Sequence, residues 1–169
     1  MFAIGCGGNP PRAKKPAEPA ASNKTEDPPP NEVIASPNVA VSMDLAEACN
    51  ITAGENITPQ FQYDRDELQS EDRRVLGTIA KCLTDGALKG RTVSLIGRAD
   101  PRGTEEYNLA LGSRRSNAVS DYLEKQGTLP SQLVETTRGS IDATGRDERG
   151  WSKDRRVDIV LVAPKSASR

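Results

Sequence analysis

Histidine is absent from this chain of 169 residues. The commonest general base and the commonest metal ligand are therefore both missing. The three cysteines, Cys6, Cys49 and Cys82, are too few and too scattered for a zinc site, and no metal or cofactor is expected. Aromatic residues make up 4% of the chain, which leaves little to stack on single-stranded nucleic acid. Net charge is −1, so the molecule as a whole offers no basic field to a polyanion, and nucleic acid is not an expected partner. No apolar run reaches the length needed to cross a bilayer as a helix. An unassisted hydrolase or a metalloenzyme starts at a disadvantage.

What is present divides into two regions. From Gly7 to Pro37 the chain is rich in proline, alanine, lysine and glutamate, with Pro10-Pro11 and Pro28-Pro29-Pro30. That composition cannot build a core and predicts a disordered, partly polyproline tether over 7–37. At about 3 Å per residue it would reach on the order of 90 Å when extended. Residues 38–169 carry the periodic apolar pattern of a folded domain.

Within that domain the periodicity predicts a short strand over Ile57 to Tyr63. A helix follows, with Leu68, Val75, Leu76, Ile79 and Leu83 at helical spacing and Ser70-Glu71-Asp72 near its start. Thr92 to Gly97 reads as a strand, with Val93 and Leu95 on one face. Thr104 to Gln126 reads as a long helix, opened by Thr104-Glu105-Glu106 and closed by Gly127. Leu133 to Arg138 and Val157 to Val162 read as further strands. The order β-α-β-α-β-β fits an α/β fold, a two-layer α/β sandwich.

The loop Gly97-Arg98-Ala99-Asp100-Pro101-Arg102-Gly103 joins a strand to the long helix, a place where binding residues gather on a rigid frame. Tyr107, Leu111, Ala118, Val119, Tyr122 and Leu123 form the apolar stripe of that helix. Arg115 lies on or beside the stripe, four residues from Leu111 and from Val119, and Asn108 lies two turns before it. Arg114 is rotated about 100° away and is free to be solvated. A desolvated guanidinium at Arg115 calls for an anionic partner. Two arrangements satisfy it. Arg115 pairs structurally with Asp100 or Asp154, or Asp100 and Arg115 clamp a zwitterion, the acid taking an ammonium and the base a carboxylate. Spacing does not choose between them.

These residues resemble the OmpA C-terminal-like (OmpA/MotB) family, which includes the peptidoglycan-associated lipoproteins. The family's strand ends in Gly-His-Thr-Asp, followed by a glycine turn and a helix patterned Asn-x-x-Leu-Ser-x-x-Arg-Ala-x-x-Val-x-x-x-Leu. This chain has Gly97-Arg98-Ala99-Asp100, Gly103, Asn108, Leu111, Gly112, Arg115, Ser116, Val119 and Leu123. The later Asn-Arg-Arg-Val-x-Ile is matched by Asp154-Arg155-Arg156-Val157-Asp158-Ile159, and Phe61-Gln62-Tyr63-Asp64 is similar to the end of the family's first strand. The resemblance covers Ile57 to Val162. It implies non-covalent binding of the diaminopimelate residue of peptidoglycan stem peptides, with Asp100 and Arg115 as ligands and Asn108, Asp64 and Arg155 lining the pocket. The departures are Arg98, Ala99, Gly112 and Asp154, together with the segment Gly139 to Trp151.

Ala3-Ile4-Gly5-Cys6 resembles the end of a lipoprotein signal, with Cys6 as the acylated residue and 1–6 as the signal's remnant. A basic segment and a full apolar stretch are missing before it, so the expectation is a translation start further upstream. A lipidated Cys6 would place the domain on the periplasmic side of the outer membrane, bridging membrane and wall. Envelope proteins are a second class of partner. Cys49 and Cys82 then remain as an even pair, expected as a disulfide of the oxidising periplasm, with two buried thiols as the alternative.

Overall fold

The structure, a computed structural model, describes residues 32–36, 38–52 and 61–163. Cys6, the tether up to residue 31 and the greater part of the strand expected over Ile57 to Tyr63 lie outside the described residues. The described end of that stretch, Phe61 to Tyr63, is loop and turn.

The elements in chain order are β1 (Glu32–Ser36), β2 (Val39–Ser42), α1 (Met43–Ala48), α2 (Ser70–Thr84), β3 (Val93–Arg98), α3 (Glu105–Lys125), a short 3-10 turn at Pro130–Gln132, β4 (Leu133–Gly139), α4 (Glu148–Asp154) and β5 (Val157–Leu161). Five strands form one mixed sheet in the order β1-β2-β5-β3-β4. The β1–β2 and β3–β5 pairings are antiparallel, and β2–β5 and β3–β4 are parallel. β1 falls within the stretch whose composition suggested tether, and its register sets Val33 opposite Val41.

The alternation of strand residues separates two faces. Val39, Val41, Val93, Leu95, Val157 and Ile159 share one core with Leu76, Ile79 and Leu83 of α2 and Val119 and Leu123 of α3. The opposite face carries Arg98 and Asp158. α3 is capped as expected: Thr104 Oγ1 accepts from the N–H of Tyr107 at 3.2 Å. Tyr107 itself stands exposed and does not join the apolar stripe. α2 opens with a reciprocal cap, in which the Asp72 carboxylate accepts from the Gln69 N–H.

α3 lies so close to β3 that backbone meets backbone. A Cβ on Gly97 would fall 1.8 Å from the Gly112 carbonyl oxygen, and one on Gly112 would fall 2.3 Å from Thr137 Oγ1. Two glycines facing each other make this approach possible. It fixes the start of α3 beside the β3–α3 loop. On the other side of the core, Cys49 at the end of α1 is disulfide-bonded to Cys82 of α2, with Cα atoms 5.6 Å apart.

Candidate functional site

The site forms where the β3–α3 loop, the residues 61–66 before α2, and α4 with the start of β5 converge. Asp100 is the acid at its centre and is 4% exposed. Its Oδ1 accepts from the backbone N–H of Arg102 at 3.1 Å and from Arg102 Nε at 3.1 Å. Its Oδ2 accepts from Arg102 Nη2 at 2.8 Å and from Arg155 Nη1 at 3.1 Å. Burial pushes the Asp100 carboxyl up, but these donors outweigh it and hold the group below its ordinary value.

Arg115 is wholly buried, yet it takes neither structural partner the spacing suggested. Its Nε donates to the Arg65 carbonyl at 2.9 Å, Nη1 to the Arg98 carbonyl at 2.8 Å and Nη2 to the Gln62 carbonyl at 3.3 Å. The Phe61 ring packs 4.8 Å from its guanidinium carbon. Among the described residues no carboxylate reaches ion-pair distance of Arg115. Desolvation, reinforced by the nearby Arg155 charge, pushes its pKa down to about 10, which still leaves it charged at neutral pH. The structural pairing of Arg115 with Asp100 or Asp154, one of the two arrangements that the spacing left open, is therefore corrected. Asp100 is engaged by Arg102 and Arg155, and Asp154 accepts from the backbone N–H groups of Thr144 and Gly145.

Arg155 ties the site together. Its Nε donates to the Phe61 carbonyl at 2.6 Å and its Nη2 to Glu148 Oε1 at 2.7 Å, in addition to its bond to Asp100. Asn108 is buried, and its Nδ2 donates to the Arg102 carbonyl and to Ser140 Oγ, both at 3.1 Å. Asp64 sits at the rim with a positive φ of 55°, accepts from the Tyr107 hydroxyl, and lies 4.0 Å from Arg114. Asp100, Asn108, Arg115 and Arg155 are thus brought together, with Asp64 at the edge.

Three members of this site were not singled out in the sequence. Arg102 stacks between the rings of Tyr63 and Trp151, 4.2 and 4.4 Å from their centroids. Two cues pointed to it: Arg102 follows Asp100 by two residues in a tight loop, and Trp151 is the chain's single tryptophan.

The four departures from the family pattern are absorbed by packing. Arg98 turns to the far face, where its Nε donates to the buried Asp158 and its Nη1 to Asp142 at 2.6 Å. Ala99 is buried, Gly112 provides the close helix–strand contact, and Asp154 holds the loop before α4.

A mixed sheet backed by helices, with an acid in the β3–α3 loop and a buried arginine on the helix that follows, defines an OmpA-like α/β domain. The chain belongs to the OmpA family, whose sequence profile matches residues 60–156. It is similar to the peptidoglycan-associated lipoproteins of Pseudomonas putida and Pseudomonas aeruginosa, 45% identical to each over 101 residues. The match covers 59% of this chain and 59% and 58% of those proteins, so the chain spans less than two thirds of the relatives' length. Among solved structures it is similar to the peptidoglycan-associated lipoprotein of Burkholderia pseudomallei. There the TM-score is 0.57 and the identity 33%, over 61% of this chain and 87% of that one. The C-terminal domain of Helicobacter pylori MotB shares the fold at 20% identity and a TM-score of 0.56, over 63% of this chain and 84% of that one.

Proposed function

We propose that this domain binds peptidoglycan non-covalently through the diaminopimelate of stem peptides, and that a lipid on Cys6 makes it a tether between outer membrane and cell wall. One observation carries the reading. Arg115 is a fully buried cation whose hydrogen-bond partners are all carbonyl oxygens. Three of the five N–H groups of a guanidinium are used, and its charge has no contacting anion among the described residues. A ligand carboxylate would supply that anion, while Asp100, Asn108, Asp64 and Arg155 offer the opposite charge and the polar edge. The names of the relatives agree with a wall ligand. The domain acts as a binding module rather than an enzyme: a nucleophile would need an activating base, and the sequence contains no histidine.

Sedimentation of the full chain with purified peptidoglycan tests this. Arg115→Ala should reduce binding by about 2–5 kcal/mol, the cost typical of losing a buried charge-assisted pair. Arg114→Ala, at the exposed rim, should bind almost normally. Assaying the supernatant for released fragments separates binding from hydrolysis. Undiminished sedimentation of the Arg115 variant would overturn the reading and favour a protein partner.

A further inference from the structure

If a ligand ammonium belongs at Asp100, that seat is already taken. A carboxylate offers about four lone-pair sites, and Asp100 receives four N–H donors, three from Arg102 and one from Arg155. Of the two arginine side chains only one is placed to leave. Arg155 is buried and is bound at Nε by the Phe61 carbonyl. The Arg102 side chain is 32% exposed, and among the described residues it bonds to no main-chain group, only to Asp100 and, at 3.4 Å, to Glu148. Its backbone is pinned, because its carbonyl accepts from Asn108 and its N–H donates to Asp100. The side chain is therefore the part with freedom to move.

The surroundings of Arg102 are those of a cation receptor. Two aromatic rings face its guanidinium at 4.2 and 4.4 Å, and two carboxylates approach it, Asp100 at 2.8 Å and Glu148 at 3.4 Å. Flat, delocalised cations stack well on such rings, and compact ammonium groups are also attracted to them.

We propose that Arg102 is an internal stand-in for the ligand's ammonium, and that a stem peptide binds by displacing its side chain from between Tyr63 and Trp151. This rests on the peptidoglycan-binding reading and adds a specificity-determining residue to it. A simple amine gains at Asp100 only what Arg102 already provides. A zwitterion gains that and an additional carboxylate contact at Arg115, so it alone offsets the displacement. Arg102 thus rejects lone cations and admits a ligand that carries both charges.

The closing experiment has two arms, each on the full chain and on Arg102→Ala and Arg102→Gln. In the first arm, ethylguanidinium chloride is the probe, with sodium chloride at equal ionic strength as control, and melting temperature is read. Both variants should show saturable stabilisation by ethylguanidinium, and the wild type none. In the second arm, a diaminopimelate-containing tripeptide is titrated, with the fluorescence of the single Trp151 as a second readout. If the open form is about a tenth of the wild-type population, removing Arg102 should tighten binding about tenfold. Trp151 fluorescence should change on binding in the wild type, where a guanidinium leaves the ring, and less in the variants. Weaker peptide binding by both variants would make Arg102 a ligand contact and overturn the proposal. So would unchanged peptide affinity together with no response to ethylguanidinium, which would make it a strut. If neither wild type nor variant binds peptide, the wall-binding reading fails, and the ethylguanidinium arm still decides whether the seat exists.

Discussion

Arg155 meets Asp100 at 3.1 Å with both side chains buried, and this pair, rather than one between Asp100 and Arg115, is the buried ion pair at the centre of the site, beside the half-buried Arg102 that also meets Asp100. It joins the C-terminal end of α4 to the β3–α3 loop across 55 residues of sequence. It also leaves Arg115 as a second buried cation close by, so two guanidinium groups share one small region.

Removing Arg155 should therefore cost more than a surface charge. Arg155→Ala would strip Asp100 of a buried partner and leave the Phe61 carbonyl without its donor. Breaking a buried pair in this way typically destabilises by about 3–5 kcal/mol. Arg155→Lys should not restore the loss, because a single ammonium does not span the Phe61 carbonyl, Asp100 and Glu148 together. Urea denaturation midpoints of the two variants check both statements.

Asp100 gives the site a pH dependence of defined sign. Its carboxyl is held below the ordinary value of 3.8, with burial opposing and the Arg102 and Arg155 bonds prevailing. The stability this contributes is fully present above the unfolded-state value and drains away as pH falls through the lower folded-state value. Asp100→Asn should melt below wild type at neutral pH, and the gap should close as pH drops below about 4. A gap that stays constant down to acid pH would contradict the assignment.

The Gly97–Gly112 contact predicts a contrast between two glycine substitutions. Gly97→Ala places a Cβ against the Gly112 carbonyl, a backbone atom that moves only if α3 moves. The cost should be about 3 kcal/mol or more, and the shift of α3 should weaken ligand binding too. Gly77→Ala, in the middle of α2, meets nothing within 4 Å and should raise stability by up to about 1 kcal/mol. Paired thermal melts decide it.

The Cys49–Cys82 bond should be measurable as a lighter mass under non-reducing conditions and as the absence of two alkylatable thiols. The double Cys→Ser variant should fold and bind, with stability lower by roughly 3–4 kcal/mol for a loop of this length. Denaturation with and without reductant should give the same difference.

If Cys6 carries the lipid, Cys6→Ser expressed with its natural leader should move to the soluble fraction while still binding isolated peptidoglycan. Membrane fractionation after enzymatic digestion of the wall is the measurement. Retention of the Ser variant with membranes would remove the anchor from the proposed tether.

Much of this architecture was legible in the chain. α2, β3 and α3 follow from apolar spacing and from Thr104, because each is long or well punctuated and packs on one core. α4 was not foreseen. Its seven residues carry one large apolar side chain, Trp151, so no apolar period marks it, and its cap is local, with Asp147 accepting from the Gly150 N–H at 2.9 Å. Tyr107 has helical spacing, but its place in the first turn carries it past the core to Asp64 at the rim. The desolvation of Arg115 was readable from its neighbours along the helix. The carbonyls it meets come from residues 17 to 53 positions away, and no periodicity encodes those encounters. Arg102 was hidden for a similar reason: its two rings come from opposite sides of the sequence.

The disulfide also has a mechanical consequence. Tension entering from the N-terminal side reaches β1 at the sheet edge, then β2 and α1. At Cys49 the covalent bridge passes it directly to Cys82, skipping 33 positions of chain. At about 3.4 Å per extended residue, some 110 Å of slack is locked away and cannot be paid out. Phe61, Tyr63, Asp64 and Arg65 all lie inside this shunted segment. The wall of the site that meets Arg102, Arg115 and Arg155 is thus mechanically isolated, and a pull strong enough to peel β1 from β2 would leave it unstretched.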